Sequence, residues 1–395
     1  MKKHNIERSE NMEVKALQDI LIKILRSELT ETELDASVKE QLTPDVISAL
    51  YSLSSRHDLA HIVFNSLHKC GLRNDDESYL KFNQKAIMSV CRNEQMKYAY
   101  NQICDIFNKE SIPYIPLKGL VIRPYYPQES MRTSCDIDIL VKEENLESAI
   151  DSLVQKGFRC GERHYHDVSL FSPANIHLEL HFNIQETIEK LDVVLKDAWQ
   201  HTKLTDGSRY EFTDEFFVFH MFAHMSYHFL GGGCGIKSLM DIWVMEHKMG
   251  VTYECARELL EKAGIYRFAA EISKLAEICF SDKPKDGFSD TILSYIFSGG
   301  IYGTSQNKIA VKKSKNKSTI IYSLQRLFMP YKSMVITYPI LKKLPILLPF
   351  CWVARFFKML FKGKSKSALG EIKTANNVTN DQISVIVQMR EHLGL

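Results

Sequence analysis

The chain has 395 residues, enough for one large domain or two to three modest ones. Apolar content of 45% and charged content of 25% are ordinary for a soluble globular protein, and a net charge of +2 excludes a global pull toward nucleic acid. Nine cysteines, at 70, 91, 104, 135, 160, 234, 255, 279 and 351, are scattered, odd in number and without a CxxC pair. Neither a disulfide framework nor a zinc ribbon is expected, and a reducing cytosol fits best. The first fifteen residues, MKKHNIERSENMEVK, are polar where a signal peptide needs an apolar core, so secretion is not expected.

Residues 12 to 110 read as helices. Leu17, Ile20, Leu21, Ile24 and Leu25 recur on one helical face, and the stretch from Tyr79 to Phe107 continues in the same style for several turns. Pro113 and Pro116 break the pattern. Residues 112 to 184 are mixed. YIPL reads as a short strand, KGLVIRPYY as a short helix or turn, and CDIDILV as a strand. An amphipathic helix in EENLESAIDSLVQKGF ends at Gly157. HDVSLFS and IHLELHFNI are two further strands, joined by a turn at Ser172-Pro173-Ala174-Asn175. From about 185 the chain returns to helices, with Gly231-Gly232-Gly233 between two of them. The expected class is α+β: a small mixed β-sheet core at 111–200, flanked by a helical region at 1–110 and another at 201–395.

Toward the C-terminus, five lysines and no acid lie between Lys308 and Lys317. A solvated loop is the expected reading, with a docking strip for an acidic partner or anionic lipid as its rival. The aromatic stretch YPILKKLPILLPFCWVARFFKMLFKGKSK is too short and too interrupted to span a bilayer. It reads as a helix packed on the core; a peripheral membrane contact through Trp352, Phe356, Phe357 and Phe361, at the inner face, is the alternative.

The chemistry concentrates at Asp136 and Asp138. Side chains alternate along a strand, so the two carboxylates share one face, opposite Ile137. Such neighbours repel unless a cation sits between them. Glu179, in IHLELHF, lies in a second alternating apolar strand on the same face as His177 and His181. Three carboxylates on strands suit a two-metal phosphoryl-transfer site, with magnesium as the hard cation.

PLKGL at 116–120, YPQESMRTSCDIDILV at 126–141, KGFR at 156–159 and HLELHF at 177–182 together resemble an uncharacterised nucleotidyltransferase family of bacteria, a divergent branch of the DNA polymerase β-like superfamily. HMFAHMSYHFLGGGCGIKSLMDIWVM, at 220–245, is similar to that family's helical part, and the likeness covers roughly residues 40 to 300. It implies that Asp136 and Asp138 bind two Mg²⁺ and that Glu179 is the third carboxylate and helps to activate the nucleophile. The superfamily usually carries Gly-Ser at the turn before the D-x-D strand; here it reads Lys118-Gly119-Leu120. Lys118 would supply charge to a triphosphate, Gly119 close backbone approach, and the following helix N-terminus a site for an anion. Arg132 is a phosphate-clamp candidate, with pairing to Glu129 as its plain alternative, and His181 the better of the two histidines near the metal site.

His220, His224 and His228 recur at i, i+4, i+8. Packing at a domain interface is the expected role, ahead of nucleotide or acceptor contact and of zinc binding. Asp241 could approach the same cleft. The function expected is transfer of a nucleoside monophosphate from an NTP to an acceptor hydroxyl or phosphate with release of pyrophosphate. The acceptor would be a small molecule or a protein, since no large basic surface suits a long nucleic acid. The alternatives are a non-catalytic nucleotide-binding scaffold on the same fold and a histidine-based zinc hydrolase.

Overall fold

A computed structural model describes residues 2–71, 77–186, 188–300, 338–361 and 379–395, with short pieces between 303 and 335. The N-terminal part is built from α1 (Lys2–Thr30), α2 (Ala36–Lys39), α3 (Pro44–Arg56), α4 (Ala60–Lys69) and the 33-residue α5 (Glu77–Lys109). The periodic face of α1 is the one that packs: Ile20, Leu21, Ile24 and Leu25 are all buried. Asp35 caps α2, and Thr43 caps α3 with Pro44 in its first turn, where a missing N–H costs nothing.

Seven strands follow: β1 (Tyr114–Pro116), β2 (Asp136–Val141), β3 (Arg159–Arg163), β4 (Asp167–Phe171), β5 (His177–His181), β6 (Thr202–Asp206) and β7 (Arg209–Phe212). They form one mixed sheet in the order β3-β4-β5-β2-β1-β7-β6, with β2 parallel to β5 and β1 parallel to β7. One turn of α6 (Gly119–Ile122) follows β1, and α7 (Leu146–Gln155) follows β2, with Gly157 left-handed just beyond it. The turn at Ser172–Asn175 is closed by Asn175 N–H to Ser172 O at 2.8 Å.

The two faces of β2 have different fates. Ile137, Ile139 and Val141 join Leu178 and Leu180 of β5 in a core sealed by α5 and α7, through residues such as Ile103, Phe107, Ile150 and Leu153. Asp136 and Asp138 therefore face the other way, toward the C-terminal helices. Those are α8 (Glu189–Leu195), α9 (Asp214–Leu230), α10 (Ile236–Val244), α11 (Arg257–Lys262), α12 (Tyr266–Phe280) and α13 (Ser289–Gly299). α9 buries Phe216, Phe219, Phe222 and Phe229 and is apolar nearly all round, as befits a helix at the centre of the larger core.

The sheet extends further along the chain than the expected return to helices at 185. β6 and β7 form a hairpin on its β1 side, closed by Gly207-Ser208 with Gly207 at φ +55°. A side chain at Gly207 would also collide with Asn108, its Cβ falling 2.7 Å from Oδ1. The Asp-Gly pair between alternating residues is the signal for this hairpin.

No disulfide joins cysteines among the described residues. No helix among the described residues is long and apolar enough to cross a membrane. Lys312 to Lys317 and the side chains of Phe356, Phe357 and Phe361 lie outside the described residues.

Two buried histidines tie the N-terminal helices to their neighbours. His57 Nε2 bonds Phe297 O at 3.2 Å, and His61 Nε2 bonds Met131 O at 3.1 Å. Burial pushes both down to about 4, so the unfolded chain takes up their protons first. Their stabilisation is present in full above pH ~6.5 and is lost as the pH falls toward 4, at about 1.4 kcal/mol per pH unit for each. Urea unfolding followed from pH ~7 to ~5 is expected to show a falling midpoint, and His61→Gln to flatten that dependence.

Candidate functional site

The site is written in one strand register. β2 and β5 run parallel with Asp136 opposite His177, Asp138 opposite Glu179 and Leu140 opposite His181. Asp138 and Glu179 thus become neighbours on the face turned away from the sheet's apolar core. Ligand atoms of Asp136, His177 and Glu179 lie within 4.8 Å of one another, and so do those of Asp138, Glu179 and His181. The two groups share Glu179. Hard carboxylate oxygens in such overlapping sets fit a pair of divalent cations.

Electrostatics supports that fit. Burial, then the charges of Asp138 and Glu179, raise the Asp136 carboxyl above the usual range: the anions are under-compensated. Asp138 is buried too, yet Lys118, 4.0 Å away, and His181, 3.1 Å away, hold it below that range. The His181 hydrogen bond also keeps Glu179 ionised. Burial alone would lower His181; its bonds to Asp138 and Glu179 win and push it up to about 9. The imidazolium and Lys118 are the cations that the structure itself places among the three acids.

The segment leading into β2 is held from both sides. Arg132 is buried and its Nε donates to Asp241 Oδ1 at 2.6 Å; Tyr126 OH donates to the same oxygen at 2.6 Å. Lys237 Nζ reaches Thr133 Oγ1 and Asp58 Oδ2, each at 2.8 Å, and Thr133 O at 3.2 Å. Arg123 donates to Arg132 O at 3.0 Å and bonds Ser134 Oγ. Lys237 and Asp241 stand four residues apart on α10, so one helical face grips two consecutive residues of the lead-in.

Asp58, Arg132, Thr133, Ser134, Lys237 and Asp241 border a cleft of about 580 Å³. Lys118, Gly119, Arg132, Asp136, Asp138 and Glu179 all line it, so the structure brings these six expected residues together. His181 is nearly buried behind them. Lys118 takes a left-handed backbone, φ +42° and ψ −105°, a strained conformation for a side-chain-bearing residue at the mouth of a site. Gly119 has no such need. A Cβ there would point at Ser134 Oγ, 3.6 Å away, and the Arg132 guanidinium carbon, 3.7 Å away, so glycine keeps this wall open. The helix after it has one turn, too short for much of a dipole, which leaves anion binding to side chains. Glu129 pairs with Lys97 rather than with Arg132.

His224 and His228 line the cleft, with ring centroids 4.3 Å apart, whereas His220 is buried 6.4 Å from His224 and packs on Phe212. Burial, then Lys118, holds all three well below the ordinary histidine range. Among the described residues none belongs to a metal-competent group of three. His224 instead meets Glu186 at 3.4 Å. Asp241 does border the cleft, but as the acceptor for Arg132. Lys237, Asp58 and Thr133 went unseen in the sequence. The lysine–serine pair at a glycine-rich helix start is the one signal that could have drawn attention to Lys237.

Removing Asp241 leaves the buried Arg132 charge uncompensated, so Asp241→Ala is expected to cost about 3–5 kcal/mol in denaturant unfolding, and Tyr126→Phe about 1–2. Comparison with known proteins agrees with the geometry. A family model described as an uncharacterised nucleotidyltransferase matches residues 44–281. No curated protein and no solved structure matches. The matched span holds all three carboxylates, Lys118, the lead-in and α10, and the chain belongs to this uncharacterised nucleotidyltransferase family.

Proposed function

We propose that the protein transfers a nucleoside monophosphate from an NTP to an acceptor hydroxyl or phosphate and releases pyrophosphate. The observation that carries this is the register pairing of Asp138 with Glu179, which gathers three carboxylates beside Lys118 at one end of a cleft. Asp136, Asp138 and Glu179 would hold the divalent ions, for which two Mg²⁺ suit the oxygen ligands. Bound there, such ions supply neutralisation of phosphate charge and a more acidic acceptor oxygen.

The chain's own groups divide the remaining work. Lys118 and the open wall at Gly119 receive the triphosphate, with Arg132 fixed beside them by Asp241. Glu179 is the more open acid, its side chain 30% exposed against 15% for Asp138, and His181 keeps it ionised. It would take the acceptor's proton. The acceptor oxygen bonds to the α-phosphorus, the bond to the bridging oxygen breaks, and pyrophosphate leaves with that electron pair. A cleft of about 580 Å³ is of small-molecule size. With a net charge of +2 this favours a small acceptor or one protein side chain over a long nucleic acid.

Pyrophosphate release should be measured with each of the four NTPs and Mg²⁺, beside Asp138→Asn, with the protein's mass recorded afterwards. Metal-dependent release, reduced about 100-fold or more by the substitution, is expected. An added nucleotide mass would make the protein its own acceptor. NTP binding without turnover under any acceptor would favour a nucleotide-binding scaffold, and no binding of any NTP would sink the reading. Gly119→Ala tests the phosphate wall. The fold tolerates a Cβ there, so unfolding should be unchanged while KM for the NTP rises about five-fold or more.

A further inference from the structure

Residues 291–370 contain fourteen lysines and arginines and no aspartate or glutamate. The whole chain holds 50 basic against 48 acidic residues, so everything outside this stretch is net negative. Large apolar side chains stand open in the same stretch. Ile346 is 81% exposed, Phe350 71% and Val353 55%, with Ile340 and Leu344 at 51% and 50%. Ile340 and Ile346 sit on two short 3₁₀ turns, Pro339–Lys342 and Pro345–Leu347, Leu344 caps the second, and Phe350 and Val353 lie on the helix Leu348–Phe361 that follows. Residues between 292 and 311 of this stretch still join the larger core, but Met334, Leu341 and Cys351 form a cluster of their own, apart from both main cores. Of the helix expected to pack on the core, Phe350 and Val353 stand uncovered among the described side chains.

Exposed apolar surface alone does not name what covers it. The missing acids do. A folded protein partner presents both signs of charge, and a surface made for it carries both in return. An anionic bilayer presents one sign without limit over an apolar interior. It favours lysines near the headgroups and shallow insertion of aliphatic and aromatic side chains, and it penalises every acid. The described helix has 14 residues and no described helix can span, so the segment would lie on the membrane and not cross it. We infer that residues 339–353 form a membrane-docking surface for anionic lipid, with Ile346 and Phe350 entering the headgroup boundary and the acid-free sequence around them supplying the positive charge. This stands apart from nucleotidyl transfer and survives its failure.

Flotation of the full-length protein with vesicles tests it. Binding is expected to phosphatidylcholine vesicles holding about 30 mol% phosphatidylglycerol, at least about ten-fold weaker binding to phosphatidylcholine alone, and loss of most binding near 0.5 M salt. Ile346→Asp/Phe350→Asp should weaken binding about ten-fold or more with the melting curve unchanged, since both side chains are already exposed. Lys342→Glu/Lys343→Glu should do the same through charge alone. No binding to the anionic vesicles, or binding that the apolar double substitution leaves intact while a soluble polyanion competes equally well, would overturn the inference.

Discussion

Asp136 and Asp138 each come within 4.8 Å of Glu179; carboxylates this close repel one another, and much of this structure answers that repulsion. The parallel pairing of β2 with β5 creates it, by setting Asp138 against Glu179. Lys118 and His181 temper it from the flank and from below. Even His181 is supported, its ring stacked on that of His166 with centroids 5.5 Å apart. The residual imbalance sits on Asp136, whose carboxyl holds its proton more tightly than usual. A sheet that served only stability would bury apolar residues at these positions, as it does on its other face.

Holding such a cluster in shape falls to the helices. The lead-in from Arg132 to Cys135 has no strand partner of its own. It is fixed instead by Asp241 and Lys237 of α10, by Asp58 at the turn between α3 and α4, by Arg123 and by Arg92 of α5, which donates to Cys135 O at 2.9 Å. Buried pairs of this kind add little net stability, because desolvation offsets the Coulomb gain, but they penalise any other arrangement. The N-terminal and C-terminal helices therefore meet at the strand that carries the acids, and each contributes one member of the Asp58–Lys237 pair.

The acid-bearing strands were legible because their signal is local. Alternation in CDIDILV and HLELHF fixed which side chains share a face; the parallel register that sets Asp138 against Glu179 is set by the fold. The same local reasoning placed α1, α7 and the turn at 172–175. It missed the β6–β7 hairpin despite the Asp206-Gly207 pair, because the polar residues around it carry little apolar alternation and β6, at the sheet edge, is left exposed. It also could not pair Arg132 with Asp241, 109 residues away, nor Lys237 with Asp58, 179 residues away. Such partners are chosen by tertiary geometry, and nothing within a window of the sequence points to them. The histidine row was legible as a face, but only the fold separates His224 and His228 at the cleft from His220 in the core.

These pairings also decide the charge that a substrate would meet. Of the acids around the cleft, Asp241 is matched by Arg132 and Asp58 by Lys237. What remains is Asp136, Asp138 and Glu179 against Lys118 and the protonated ring of His181, an excess of negative charge in a partly dried cleft. A bare triphosphate would be repelled by that excess, since Coulomb repulsion strengthens where water is scarce. A triphosphate carrying its own divalent cations would be drawn in, and the acids that reject the free anion are the ligands its cations lack. On this reading the excess charge is a selection device. It would favour the cation complex of the nucleotide over the free anion, and it would explain why the structure compensates Arg132 and Lys237 fully but leaves the D-x-D strand short of positive charge.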